Sequence, residues 1–233
     1  MTDLQERYDL FTAAAWVLGH ARRTGIPQLP EVLLSKQAPD CSDAELEQIT
    51  LAGQDAGLKL YPFKTGTQTR ARTRRTLGFL HSIAFETMLD VGSGRGVFLI
   101  PFMKEFPWVQ VTGLDLLEKR VTFLSELAQG GFPRLRALQE DICRQPFADN
   151  SFDVITMLEV LEHIPEVEKA IASAVHMARR YVVVTVPSKP DSNPEHIHLL
   201  TKDRLIRMFS DAGCTRLHFD GVEGHLFMVA AIS

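Results

Sequence analysis

The chain has 233 residues, 45% of them hydrophobic and 23% charged, with a formal net charge of −4. That length can bury a continuous core without metal or disulfide staples, and the charge gives no global attraction to nucleic acid or to an anionic membrane. Three scattered cysteines without a CxxC pair speak against a disulfide framework or a zinc knuckle and point to a reducing, cytoplasmic setting. The first residues lack the basic and apolar pattern of a signal peptide. No run approaches the ~18 apolar residues that a membrane helix needs.

In chain order, Leu4, Tyr8, Phe11, Ala15 and Leu18 recur at helical spacing, and Gly25 with Pro27 ends that helix. Ser42 and Glu45 predict a capping box for a second helix that fades at Gly57. A third helix is predicted from Thr69 to Ser82. From Glu86 the texture changes to alternating strands and helices. Thr87–Val91 is a buried strand and Val97–Phe106 a helix, with Pro101 tolerable only near its first turns. Val109–Leu114 is a strand. Leu117, Val121, Leu124 and Ala128 mark a helix closed by Gly130-Gly131. Strands follow at Leu135–Gln139, Asp153–Leu158 and Tyr181–Val186, with a helix at Glu166–Arg179 between the last two. After a helix at Thr201–Ala212, strands near Thr215–Asp220 and Leu226–Ile232 are joined by a turn too short for a parallel crossover. The expectation is an α/β fold: a mostly parallel seven-stranded sheet with helices on both faces, a C-terminal antiparallel strand, and a helical extension over residues 1–85 before a domain at 86–233.

In such sheets ligands sit beyond the carboxyl ends of the strands. The first strand runs into Asp90-Val91-Gly92-Ser93-Gly94-Arg95-Gly96, where glycines allow tight turns and close approach of backbone to a ligand. The compact G-x-G-x-G differs from the dinucleotide G-x-G-x-x-G and suits a ligand without a pyrophosphate. Asp115, placed 19 residues after Gly96, can accept from both hydroxyls of a ribose. Asp141 could accept from an adenine amino group and the Ile142 N–H donate to its ring.

These segments, with Phe147–Ile155 after them, resemble the class I S-adenosylmethionine-dependent methyltransferases over roughly residues 86 to 233. The resemblance implies a Rossmann-like fold with S-adenosylmethionine as cofactor. It implies that Asp90, Gly92, Ser93, Gly94 and Gly96 hold the methionine end, Asp115 and Leu116 the ribose, Asp141 and Ile142 the adenine, and that Glu159 shapes the pocket. The acceptor is expected to be a small molecule methylated on oxygen, nitrogen or carbon, with residues 1–85 as a lid or wall over it.

Methyl transfer needs alignment, and a general base only where the acceptor must lose a proton. Glu159, Glu162 and His163 share a face if helical, and the loop after the fifth strand brings His196 and His198. His163 and His198 are the candidates for catalytic roles. As an alternative, Glu159, Glu162, His163 and His198 could hold a divalent metal, in an RNA methyltransferase similar to the small-RNA 3′-terminal 2′-O-methyltransferases. The histidine- and tryptophan-containing stretches of that family are missing after the fifth strand. Lys64 and Arg70 to Arg75 form a basic stretch that could meet phosphates or simply face solvent, without an aromatic among residues 64–78 for base stacking. A nicotinamide oxidoreductase is disfavoured by the glycine spacing and the terminal hairpin. A non-catalytic cofactor-binding subunit would carry the same loop. His20, His81, His176, His218 and His225 have no clustered partners in sequence and read as structural.

Overall fold

The computed structural model describes residues 2–60, 71–190 and 192–232. Among the described residues four α-helices precede the sheet: α1 (Thr2–Thr24), α2 (Glu31–Leu34), α3 (Asp43–Asp55) and α4 (Ala71–Leu80). Gly25, at φ +81°, ends α1, donating its N–H to the Ala21 carbonyl at 2.8 Å. The capping box forms as expected: Ser42 Oγ accepts from Glu45 N, and Ser42 N donates to the Glu45 carboxylate at 2.8 Å. The short α2 was not anticipated, being too brief to show a period. The predicted helix start at Thr69 falls outside the described residues, as do Lys64 and Arg70.

Strands and helices then alternate: β1 (Thr87–Val91), α5 (Leu99–Glu105), β2 (Gln110–Asp115), α6 (Glu118–Gly131), β3 (Leu135–Gln139), β4 (Phe152–Leu158), α7 (Val167–Met177), β5 (Ala178–Pro187), α8 (Lys202–Asp211), β6 (Arg216–Val222) and β7 (His225–Ala231). Among the described residues the sheet order is β3-β2-β1-β4-β5-β7-β6. β1 to β5 pair in parallel, and β7 runs antiparallel between β5 and β6. Strand order reverses between β1 and β4, which opens a crevice at their carboxyl ends.

Side-chain alternation sorts the core into two layers. Met88, Val154, Val183, Phe227 and Val229 pack with α4, α5, α6 and the N-terminal helices. Leu89, Ile155, Met157, Val182, Val184 and Met228 pack with α7 and α8. The N-terminal helices therefore share a hydrophobic cluster with one face of the sheet.

Helix α6 ends at Gly130-Gly131 as the sequence reading has it, but not through a glycine cap. Both lie inside α6, whose C-cap is Phe132, and their smallness serves the packing of α1. A Cβ at Gly130 would lie 1.6 Å from the Ala15 carbonyl oxygen, and one at Gly19 of α1 would lie 1.8 Å from that of Glu126. The two helices approach backbone to backbone at both points. Between them the buried Glu126 carboxylate accepts from Trp16 Nε1 at 2.8 Å and from Arg23 at 2.6 Å, with His20 Nδ1 at 3.0 Å. Arg22 donates to the carbonyl of Leu34 at 3.2 Å and to those of Lys36 and Gln129, satisfying carbonyls near the ends of α2 and α6. Pro101 sits in the first turn of α5, where its missing N–H is harmless.

Glycine-to-alanine changes separate packing from propensity. Alanine at Gly19 or Gly130 should lower stability by about 2 kcal/mol or more through overlap with backbone, although alanine favours helix. In α4, a Cβ at Gly78 meets nothing within 4 Å. Gly78→Ala should be neutral or raise stability by up to ~1 kcal/mol. Denaturant melts of the three variants check the contrast, and equal effects would refute the packing account.

Candidate cofactor and acceptor site

The glycine loop leaves β1 at the strand-order reversal, and its three glycines alternate with other residues because the chain turns left-handed at each. Gly92, Gly94 and Gly96 have φ of +70°, +59° and +73°, a region that disfavours a Cβ. At Gly92 a Cβ would also lie 2.5 Å from Val160 Cγ2, whereas at Gly94 the nearest atom is the Gly92 carbonyl oxygen at 3.9 Å. The loop thus packs on Val160 at one end and opens outward at Gly94. Gly92 N and Ser93 N donate to the Leu114 carbonyl at 2.8 and 3.2 Å, which ties the loop to the end of β2.

Asp115 completes that tie. Its Oδ2 accepts from Gly94 N at 2.9 Å and from Arg120 Nη1 at 3.3 Å, and its Oδ1 accepts from Leu117 N at 3.0 Å. The carboxylate is nearly buried while Arg120 is 42% exposed. Leu116, beside it, is 62% exposed. After β3, Asp141 Oδ1 accepts from Cys143 N at 2.9 Å, and Ile142 is buried. Gln139 Nε2 donates to the Leu116 carbonyl at 3.0 Å, joining the second and third acidic positions.

Asp90 lies beneath the loop rather than at its surface. Its Oδ1 accepts from Thr156 Oγ1 at 2.6 Å, and its carbonyl from Ser93 Oγ at 2.7 Å. Burial pushes its carboxyl up to about 7, outweighing the Thr156 and Ser93 hydroxyls, which favour the charged form.

After β4 the predicted helical face of Glu159, Glu162 and His163 does not form. Glu159 has φ +57°, and only a short 3-10 turn, Leu161–His163, follows. The turn sends the side chains apart. Glu159 N donates to the Thr185 carbonyl at 2.9 Å, and Glu159 Oε1 accepts from Thr185 Oγ1 at 2.9 Å. Glu159 Oε2 lies 2.8 Å from His225 Nε2, while His225 Nδ1 is 3.0 Å from the Glu223 carbonyl. Both nitrogens of His225 face oxygen, so neither is left as an open base. The grouping of Glu159 and His198 with Glu162 and His163 is therefore corrected. Glu162, His163 and His196 come together instead, and His198 Nε2 is 3.0 Å from the Ile164 carbonyl.

His225, read as structural without a clustered partner, does have one in the fold, Glu159, which is remote in sequence. The signal lay in the hairpin: an antiparallel last strand starts at the carboxyl edge, and His225 pairs with Pro187 at the end of β5. Within the described part of the basic stretch, Arg75 is engaged by other groups of the chain: it pairs with Asp220 at 2.9 Å and lies 4.6 Å from the Phe227 ring centroid. A cavity of about 390 Å³ lies beside it, between α4 and the β6–β7 hairpin, remote from the glycine loop.

Residues 89–182 match the family model described as a methyltransferase domain. A ubiquinone/menaquinone biosynthesis C-methyltransferase of Dinoroseobacter shibae is 33% identical over 41% of this chain and 39% of its own. The 27-O-demethylrifamycin SV methyltransferase of Amycolatopsis mediterranei is 34% identical over 66% of this chain and 60% of its own. The chain thus spans less than two thirds of the length of either relative. The crystal structure of the YcgJ protein from Bacillus subtilis superposes with a TM-score of 0.59 at 17% identity, covering 68% of this chain and 98% of that one. The fold is that of the Rossmann-like methyltransferases, and the match over residues 89–182 supports a place among the class I S-adenosylmethionine-dependent methyltransferases. Among the described residues no helix is long and apolar enough to cross a membrane.

The Asp90 carboxyl makes stability depend on pH in a defined direction. A group whose folded pKa is raised from 3.8 to about 7 stabilises below the unfolded value and loses that contribution as pH rises through about 7. Asp90→Asn keeps an acceptor for Thr156 without the charge. Its melting temperature should exceed that of the parent at pH 8, by on the order of 2–4 kcal/mol of stability, and converge with it near pH 4. A pH-independent difference would refute this.

Proposed function

We propose that the chain binds S-adenosylmethionine across the carboxyl ends of β1, β2 and β3 and transfers its methyl group to a small organic acceptor. The observation that carries this reading is the line formed by the outward-opening Gly94, the Asp115 carboxylate that holds its amide, the exposed Leu116, and the Asp141–Ile142 turn. This order suits the methionine, ribose and adenine parts of one ligand. A diol would take Asp115 lone pairs now shared with Arg120, whose partly exposed side chain can move aside. When bound, the cofactor supplies an activated methyl group. The protein then contributes alignment and a water-poor pocket.

Glu159 is read as the wall between cofactor and acceptor, held by Thr185 and His225. His163 and His198 stand on the acceptor side, where His198, bonded to a backbone carbonyl, positions the loop. The helical extension 1–85 is proposed to act as a brace behind the loop: α1 packs on α6, and Tyr8 Oη donates to the Ile100 carbonyl of α5 at 2.7 Å. A small acceptor fits the neutralised Arg75 and the net negative charge better than RNA does. The names of the two relatives, a ubiquinone/menaquinone biosynthesis C-methyltransferase and a 27-O-demethylrifamycin SV methyltransferase, support a small organic acceptor. The free thiols of Cys41, Cys143 and Cys214 fit a reducing, cytoplasmic setting.

Calorimetry with S-adenosylmethionine tests the cofactor claim. Binding is expected in the parent chain, and Asp115→Ala should weaken it by roughly 10- to 100-fold, the worth of one or two charged hydrogen bonds. Absence of binding, or indifference to the substitution, would overturn the reading. A labelled-methyl screen should show transfer to a small organic molecule and none to RNA.

A further inference from the structure

We propose that Glu162, His163 and His196 form a binding site for one divalent transition-metal cation of the zinc class. One ligand atom from each residue lies within 4.8 Å of the others. An ion bound at about 2.0–2.2 Å could reach all three after modest side-chain rotation. The Glu162 side chain is fully buried, and His196 Nε2 stands 4.0 Å from its Oε1. That separation is too long for a hydrogen bond but suits two ligands turned toward a common ion.

The rings are held as metal ligands are held. His163 Nδ1 lies 2.9 Å from the Glu195 carbonyl, an acceptor, so in the neutral ring Nδ1 carries the proton and Nε2 offers its lone pair. Fixing a ligand's tautomer through its other nitrogen is a recurring feature of metal sites. The His163 and His196 rings meet edge to face with centroids 4.7 Å apart. The two loops that carry the ligands are also joined through backbone: Ile197 N and His198 N donate to the Glu162 carbonyl at 3.0 and 3.2 Å. This strap limits how far His196 can drift from the Leu161–His163 turn.

Two imidazoles and one carboxylate favour a borderline cation over magnesium or calcium. Three protein ligands leave coordination positions open. The site lies where the loops after β4 and β5 meet, at the same edge of the sheet as Glu159, so an oxygen of a bound acceptor could fill an open position. The inference does not depend on methyl transfer, since it concerns only these three side chains.

The test uses the whole chain, stripped with a chelator and titrated with Zn²⁺, reading stoichiometry by calorimetry and elemental analysis without S-adenosylmethionine. One equivalent is expected in the parent chain and in a His176→Ala control. His196→Ala and His163→Ala should each weaken binding by roughly 100-fold or more, since even outer-shell partners of a metal contribute 10- to 100-fold. Circular dichroism checks that the variants fold, and the milder His196→Gln serves if alanine does not. No stoichiometric binding by the parent, or binding that survives in folded variants at both histidines, overturns the site.

Discussion

At the carboxyl edge of the sheet, one carboxylate spans two strand ends. Asp115, the last residue of β2, accepts from the Gly94 amide in the loop that leaves β1. A loop with three left-handed glycines has many conformations open to it, and each glycine loses more entropy on ordering than any other residue. Backbone bonds from Gly92 and Ser93 to Leu114 start the ordering, and Asp115 finishes it at the outermost glycine. Asp90 and Thr156 fill the space beneath. The rest of this edge is arranged about that point: Leu116 follows Asp115 directly, Arg120 reaches back to it, and Gln139 links Leu116 to the end of β3.

The ends of β4 and β5 are organised by different means. Beyond β4 the chain makes only a short 3-10 turn before α7 begins at Val167. A residue in the left-handed region, Glu159, ends the strand and turns its carboxylate toward β5 and β7. Such a conformation costs a non-glycine residue about 1–2 kcal/mol, offset here by a backbone bond and two side-chain contacts. Because the turn separates Glu159 from Glu162, neighbouring acidic residues serve two different constellations. One joins β4 to the terminal hairpin through His225. The other faces His163 and His196.

Behind the loop, the reciprocal contacts of Gly19 and Gly130 let α1 lie against α6 closely enough to bury Glu126 with its nitrogen donors. Charge burial on this scale is tolerated when the carboxylate is well supplied with hydrogen bonds. The result is a close backing for α5 and α6, the two helices that follow β1 and β2.

Local chemistry by itself determined much of this. Hydrophobic period, caps and turns were enough to place α1, α3 and nearly every strand, because each depends on neighbours within a few residues. The glycine spacing and the acidic positions at Asp115 and Asp141 were legible for the same reason: each ends a strand, and the order of parallel strands brings such ends together. What the chain could not show locally was which distant groups meet. Gly130-Gly131 read as a glycine cap because a glycine needed for helix contact looks the same in sequence as one needed for a cap. The Glu159–His163 face assumed a helix that the left-handed Glu159 prevents. The pairing of His225 with Glu159, and the choice of His196 over His198 beside Glu162, arise from strand register and from two backbone bonds between loops. Those contacts exist only once the sheet has closed, so tertiary structure alone decided them.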